Sequence, residues 1–86
     1  MSYSVTWRPA AEQELADLWL SASDRDAVTR AAHIIDRRLE ADPENEGESR
    51  PNGRRILIVS PLAVIFRVQP TGQEVLVLTV WRVRGP

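Results

Sequence analysis

Residues 54–84 read RRILIVSPLAVIFRVQPTGQEVLVLTVWRVR, in which two turn-forming sequences separate three runs rich in β-branched residues. The runs predict strands over 55–59, 62–68 and 74–83, because valine and isoleucine favour a pleated sheet. Ser60-Pro61 and Pro70-Thr71-Gly72 are typical turn sequences. Connections this short join neighbouring strands, so we expect an antiparallel meander.

Two amphipathic helices are predicted before this meander. The first covers roughly 9–21, with Pro9 in the first turn and apolar residues at helical spacing. The second is expected to begin with a capping box at Ser23 and Asp26 and to end near Asp42, before a proline. Only about two residues separate the helices, which favours an antiparallel hairpin.

A strand and a loop complete the predicted order. Residues 3–7 alternate apolar and polar side chains, which predicts a half-buried strand. Residues 42–53 contain two prolines, two glycines and no apolar residue, which predicts a mobile loop. The order is β-α-α-β-β-β, so we expect an α+β fold over residues 1–86, with the helical hairpin on one face of a mainly antiparallel four-stranded sheet.

The other face of this sheet is expected to stay apolar and partly uncovered. In the last strand Val75 and Val77 alternate with Leu76 and Leu78, so either set leaves apolar side chains outside. An exposed apolar patch on a small protein usually marks a partner surface. Homodimerisation and a thin core are the alternatives.

Composition excludes several classes of function. A chain of 86 residues without cysteine is expected to be one cytoplasmic domain with no disulfide or thiolate metal site. Apolar runs are too short to cross a membrane, and the four glycines are isolated, so no phosphate-binding glycine loop is present. We expect neither a cofactor nor a metal ion. His33, the single histidine, is interpreted as a boundary residue of the second helix.

Charge is distributed unevenly along the chain. Residues 1–48 carry five arginines against eleven acids, and residues 49–86 carry six against one, so the halves have charges of −6 and +5. The second half is therefore expected to bind a phosphate or the carboxylates of a partner, although an arginine-rich genome would give the same count. The candidate binding residues are Arg54, Arg55, Arg67, Trp81, Arg82 and Arg84. The meander would divide these arginines between two opposite ends of the sheet.

Several motifs in order resemble one known family. They are VTWRPAA at 5–11, AAHII at 31–35, LEADP at 39–43, and the strands RRILIV at 54–59, VIFRV at 64–68 and VLVLTVWR at 75–82. This pattern resembles the RelE/ParE toxins of bacterial type II toxin–antitoxin modules, including plasmid stabilisation proteins, and is closer to the ParE-like branch. The resemblance runs over nearly the whole chain.

The resemblance implies a small toxin neutralised by a cognate antitoxin. In the RelE branch the toxin is an endoribonuclease that cleaves mRNA on the ribosome, whereas ParE-like toxins inhibit DNA gyrase. The family's arginine in the third strand falls on Ala63, its tyrosine falls on Phe66, and no histidine or tyrosine follows the last strand. Catalytic residues therefore stay unassigned, and cleavage would depend on Arg54 or Arg55 with Arg82. The alternative is a non-catalytic or degenerate binding module of the same fold, such as a homodimer.

Overall fold

The computed structural model describes residues 2–84. Two helices and five strands form in that part of the chain. In chain order they are β1 (Ser4–Trp7), α1 (Pro9–Ser21), α2 (Arg25–Ala41), β2 (Glu48–Arg50), β3 (Arg54–Val59), β4 (Leu62–Gln69) and β5 (Glu74–Arg82). Short 3-10 turns cover Pro43–Asn45, Pro51–Gly53 and Pro70–Gly72.

The predicted meander is confirmed, and it forms the centre of the sheet. The strand order is β1-β5-β4-β3-β2. β4 pairs antiparallel with both β3 and β5, and β1 pairs parallel with β5. Arg54 lies opposite Arg67, and Leu62 lies opposite Arg82. The register therefore places Arg67 and Arg82 toward opposite ends of the sheet, as the sequence predicted.

The core lies between the helical hairpin and one face of the sheet. Its fully buried side chains include Ile35 and Leu39 of α2 and Phe66 of β4. Leu57, Val64 and Val80 occupy one cross-strand row of the same face, because Leu57 pairs with Val64 and Val64 with Val80. The predicted α+β fold with one helical layer is confirmed.

The sheet has five strands, so the prediction of four strands was wrong. The additional strand, β2, lies within the segment predicted to be a mobile loop, and it pairs antiparallel with β3. Its three residues are all exposed and polar, so they carry no apolar alternation that would reveal a strand. Backbone pairing forms this strand, and Gly47, with a φ of +66°, turns the chain into it.

The start of α2 also differs from the prediction. Asp24 is the N-cap residue, and no side-chain hydrogen bond caps the helix. The predicted capping box at Ser23 and Asp26 is therefore wrong. The carboxylate of Asp24 instead accepts a hydrogen bond from Arg82 of β5, so a tertiary contact replaces the local one.

The second face of the sheet has no covering layer within residues 2–84; we call it the outer face. Side chains alternate along a strand, so the residues next to the core row point away from the helices. Ile58 is 58% exposed there, and Trp81 of β5 is 38% exposed. Ala63 lies between them in register. The predicted open apolar face is present.

No helix of the described residues is both long and apolar enough to cross a membrane.

Candidate functional site

Two arginines meet on the outer face at one end of the sheet. Arg54 of β3 and Arg67 of β4 are directly opposite each other in register. Like charges at directly opposed positions of an antiparallel pair are destabilising. An anion bound between the two guanidinium groups would remove this repulsion.

A third arginine, which the sequence analysis missed, joins this pair. A cavity of about 290 Å³ is lined by Arg8, Arg54, Ile65, Arg67, Leu78 and Thr79, and we call it the arginine pocket. Arg8 follows β1 directly, and its Nε donates a hydrogen bond to the Leu78 carbonyl oxygen at 2.6 Å. Its place depends on the parallel pairing of β1 with β5, which a single sequence does not reveal.

The arginine pocket contains guanidinium groups without acidic partners. The ion pairs of the described residues join Arg38 to Glu46, Arg50 to Glu48 and Arg82 to Asp24. None of them involves an arginine of the pocket. The Nε of Arg67 is buried and has no hydrogen-bond partner among residues 2–84, and its Nη2 lies 3.5 Å from the Asn52 carbonyl oxygen. A half-buried guanidinium group without an acidic partner suits an external oxyanion.

Arg55 stands apart from its neighbour Arg54. It pairs with Phe66 in register, on the side of the sheet that carries the core. Its Nε donates to the Glu46 carbonyl oxygen at 2.8 Å and its Nη2 to that of Gly47 at 3.1 Å. Arg55 therefore fastens the segment before β2 to the sheet.

Arg82 is engaged within the chain at the opposite end of the sheet. Its Nη2 donates to Asp24 Oδ2 at 2.7 Å. The hydrogen bond from Arg82 lowers the pKa of Asp24, and the same contact raises the pKa of Arg82. Trp81 precedes Arg82 in the strand and so faces the other side. Arg84, beyond the end of β5, is exposed.

Groups suited to proton transfer either lie away from the arginine pocket or are already engaged in hydrogen bonds. The Tyr3 hydroxyl donates to Glu44 Oε1 at 2.8 Å, which raises the pKa of that hydroxyl. His33 is exposed on α2. Glu14 adjoins the pocket, but its carboxylate accepts hydrogen bonds from the Thr79 hydroxyl and the Val80 amide. Glu14 therefore accepts a backbone hydrogen bond from β5 beyond the point where the pairing with β1 ends.

A second concave surface, also missed from the sequence, lies between the helices. This groove has a volume of about 580 Å³ and is mainly apolar, with Trp7, Leu15, Trp19, Leu20 and Val28 among its lining residues and Glu12, His33 and Asp36 beside them. The Trp7 indole donates to Asp36 Oδ1 at 2.7 Å, and the Trp19 indole donates to Thr29 Oγ1 at 3.1 Å. Both indole nitrogens are thereby satisfied.

Within residues 2–84 no group of three or more histidine, cysteine, aspartate or glutamate side chains could hold a metal ion. The donor set of the arginine pocket is cationic, so its chemistry is the binding of anions.

Comparison with known proteins identifies the family. The family model described as ParE toxin of type II toxin–antitoxin system, parDE, matches residues 5–85. The chain belongs to the ParE toxin family. The resemblance to RelE/ParE toxins found in the sequence is confirmed, including the closer relation to the ParE-like branch.

Solved structures share the fold of this ParE-family chain. A chain of the RelBE2 toxin–antitoxin complex from Mycobacterium tuberculosis is 16% identical, with a TM-score of 0.79 over 95% of this chain and 92% of that one. A chain of the chromosomal ParDE system from P. aeruginosa is 22% identical, with a TM-score of 0.67 over 95% of this chain and 97% of that one. The isolated E. coli RelE toxin is 14% identical, with a TM-score of 0.56 over 98% of this chain and 87% of that one. No curated protein matches the chain significantly in sequence.

Proposed function

We propose that this chain is the toxin of a toxin–antitoxin pair, that it arrests DNA gyrase by binding, and that it does not cleave RNA. The observation that carries the proposal is the ion pair between Arg82 and Asp24. Arg82 is the residue on which the ribonuclease hypothesis most depends, and it is held by an acidic side chain of its own chain.

The chemistry of RNA cleavage supports the same choice. Attack by a 2′-hydroxyl needs a group that takes a proton and a group that stabilises the developing negative charge. Arginine is a poor base because it stays protonated in proteins. Tyr3 and His33 do not line the arginine pocket, and Glu14 is occupied by Thr79 and Val80.

We further propose that the antitoxin covers the outer face. This face is apolar, carries exposed Ile58 and Trp81, and lacks a second layer within the described residues. A domain core normally lies between two layers, and within the described residues one face of this sheet has no second layer. Complexes such as RelBE2 and ParDE in related folds support an antitoxin partner. Gyrase and ribosomes are cytoplasmic, so we place the chain there.

The test compares two targets with the same purified chain. We expect inhibition of supercoiling by purified gyrase and no cleavage of mRNA on purified ribosomes. Arg82→Ala is expected to leave the inhibition unchanged, because an exposed ion pair contributes little to the fold. Ribosome-dependent cleavage that Arg82→Ala abolishes would refute the proposal.

A second assay separates a toxin from an inactive binding module. Induced expression is expected to stop growth, and coexpression of the product of the adjacent reading frame is expected to restore it and to copurify with the chain. Unchanged growth, together with a homodimer and no copurifying partner, would favour the non-toxic alternative.

Ribonuclease activity is kept as the second candidate because of the arginine pocket. Arg8, Arg54 and Arg67 converge there without an acidic partner in the described residues. Such a cluster would stabilise the negative charge that develops on the phosphate in the transition state of cleavage. If this candidate is right, Arg67→Gln abolishes the cleavage that the ribosome assay detects.

A further inference from the structure

We propose that Arg8, Arg54 and Arg67 form a carboxylate-binding site, and that its occupant is an acidic, amphipathic segment of a partner protein. The identity of this partner as the antitoxin rests on the proposed function. The chemistry of the site stands on the geometry of the arginine pocket.

The first observation is the convergence of positive charge. Arg54 and Arg67 are directly opposed in register, and Arg8 lines the same cavity of about 290 Å³. Two opposed guanidinium groups repel each other, so this arrangement costs stability in the free chain. A carboxylate between them would accept charge-assisted hydrogen bonds from both forks.

The second observation is independent of charge. The Nε of Arg67 is buried and has no hydrogen-bond partner among residues 2–84. Buried donors are normally satisfied, and an unsatisfied one costs free energy. The Nε of Arg8, in contrast, donates to the Leu78 carbonyl oxygen, which fixes that side chain at the cavity wall. The Arg67 Nε is closed to solvent, so a carboxylate would contact the terminal nitrogens of Arg67 or draw its side chain outward, whereas Arg8 is held in place beside it.

The carboxylate nearest to the site does not fill it. Glu14 reaches Thr79, which lines the cavity, but it accepts hydrogen bonds from the Thr79 hydroxyl and the Val80 amide. No ion pair joins Glu14 to an arginine within the described part of the chain. A carboxylate for Arg67 would therefore come from another molecule.

The surroundings favour a protein segment over a nucleic acid. Ile65 and Leu78 line the cavity, and Ile56 pairs with Ile65 on the outer face. Nucleic-acid sites place aromatic rings beside arginine so that bases stack on them. Trp81 pairs with Ala63, four residues before Arg67, and so lies roughly 13 Å along the strand. Aliphatic side chains of an amphipathic segment would bury the isoleucines while its carboxylates reach the pocket.

The test uses synthetic peptides, so it depends on neither the antitoxin nor the target. One capped helical peptide carries leucines along one side and two glutamates at one end, and a matched peptide carries glutamines in their place. Binding is followed by the Arg67 Nε–H resonance in a nitrogen-15 NMR correlation spectrum of the intact chain. We expect the glutamate peptide to shift this resonance and to bind about tenfold more tightly than the glutamine peptide.

Variants and a nucleic-acid probe complete the test. The Arg67→Gln variant lacks the reporting resonance, so the affinities of the variants are measured by isothermal titration calorimetry. Arg67→Gln is expected to reduce the affinity for the glutamate peptide to that of the glutamine peptide, and Arg84→Gln, an exposed arginine beyond β5, is the matched control. Equal affinities for the two peptides, or no shift with either, would overturn the proposal. A short single-stranded RNA that shifts the resonance at lower concentration than the glutamate peptide would overturn it in favour of phosphate.

Discussion

Gly47 occupies a position that no other residue fits without strain, and the chain contains a matched control. Its φ is +66°, and a Cβ at this position would lie 1.9 Å from the Ile56 carbonyl oxygen. Gly53 has a similar φ of +72°, but a Cβ there meets nothing within 4 Å. Both Gly47→Ala and Gly53→Ala therefore introduce the strain of a left-handed backbone, but only Gly47→Ala adds a clash with the backbone of Ile56.

The structure sets the size of the two effects. Left-handed geometry costs a residue with a Cβ about 1–2 kcal/mol, and alanine recovers about 0.4–1 kcal/mol by restricting the unfolded chain. Gly53→Ala should therefore reduce the free energy of unfolding by about 1 kcal/mol. The clash at Gly47 involves backbone, which moves only if β2 separates from β3, so Gly47→Ala should lose about 1–3 kcal/mol more.

Thermal unfolding followed by circular dichroism measures this difference. A gap of about 2 kcal/mol between the variants corresponds to about 8–16 °C in Tm for a domain of this size. Equal Tm values for the two variants would refute the reasoning. That result would mean that residues 42–53 are not packed against β3, and that the mobile loop expected from the sequence is correct.

Two further predictions concern contacts between the helices and β5. Glu14→Ala should reduce the free energy of unfolding by about 1–3 kcal/mol, because it leaves the Val80 amide without its acceptor. Gln13→Ala, an exposed neighbour, is the control, and an equal loss in urea unfolding would contradict the role of Glu14. Arg82 lowers the pKa of Asp24, so the stability from this pair is present above the ordinary value of 3.8 and is lost as the pH falls through the lowered pKa. The Tm difference between the unaltered chain and Asp24→Asn should therefore shrink on acidification, and a constant difference would be evidence against the ion pair.

Periodicity explains why most of the fold was predictable. In α2, Val28, Ala31, Ile35 and Leu39 recur at helical spacing, and all four are buried. The three strands of the meander were predicted to within two residues at each end, since short turns leave a chain little choice of partner. Apolar side chains on both faces of β5 also predicted that one face of the sheet would lack a cover.

Contacts between distant polar residues explain what was missed. β2 is polar and exposed, and it exists through backbone pairing with β3 and the turn at Gly47. Arg8 reaches the arginine pocket because β1 lies parallel to β5, a pairing that no local pattern encodes. The helix start was predicted from Ser23 and Asp26, whereas the N-cap residue Asp24 has its partner, Arg82, 58 residues away.

The groove between the helices was missed for a related reason. Sequence periodicity marks one apolar stripe on each helix, and that stripe was assigned to the sheet. Trp19 and Leu20 remain 39% and 62% exposed on the helical side, so the hairpin carries more apolar surface than the core uses. This groove is therefore the alternative to the outer face as the surface that binds a partner.

One binding measurement decides between these two surfaces. Ile58 on the outer face and Leu20 on α1 are matched aliphatic residues, 58% and 62% exposed, so glutamate at either should leave the fold intact. The affinity for the product of the adjacent reading frame should fall about tenfold or more in Ile58→Glu, a loss of about 1.4 kcal/mol, and stay unchanged in Leu20→Glu. Unchanged affinity in Ile58→Glu with a loss in Leu20→Glu would contradict the account.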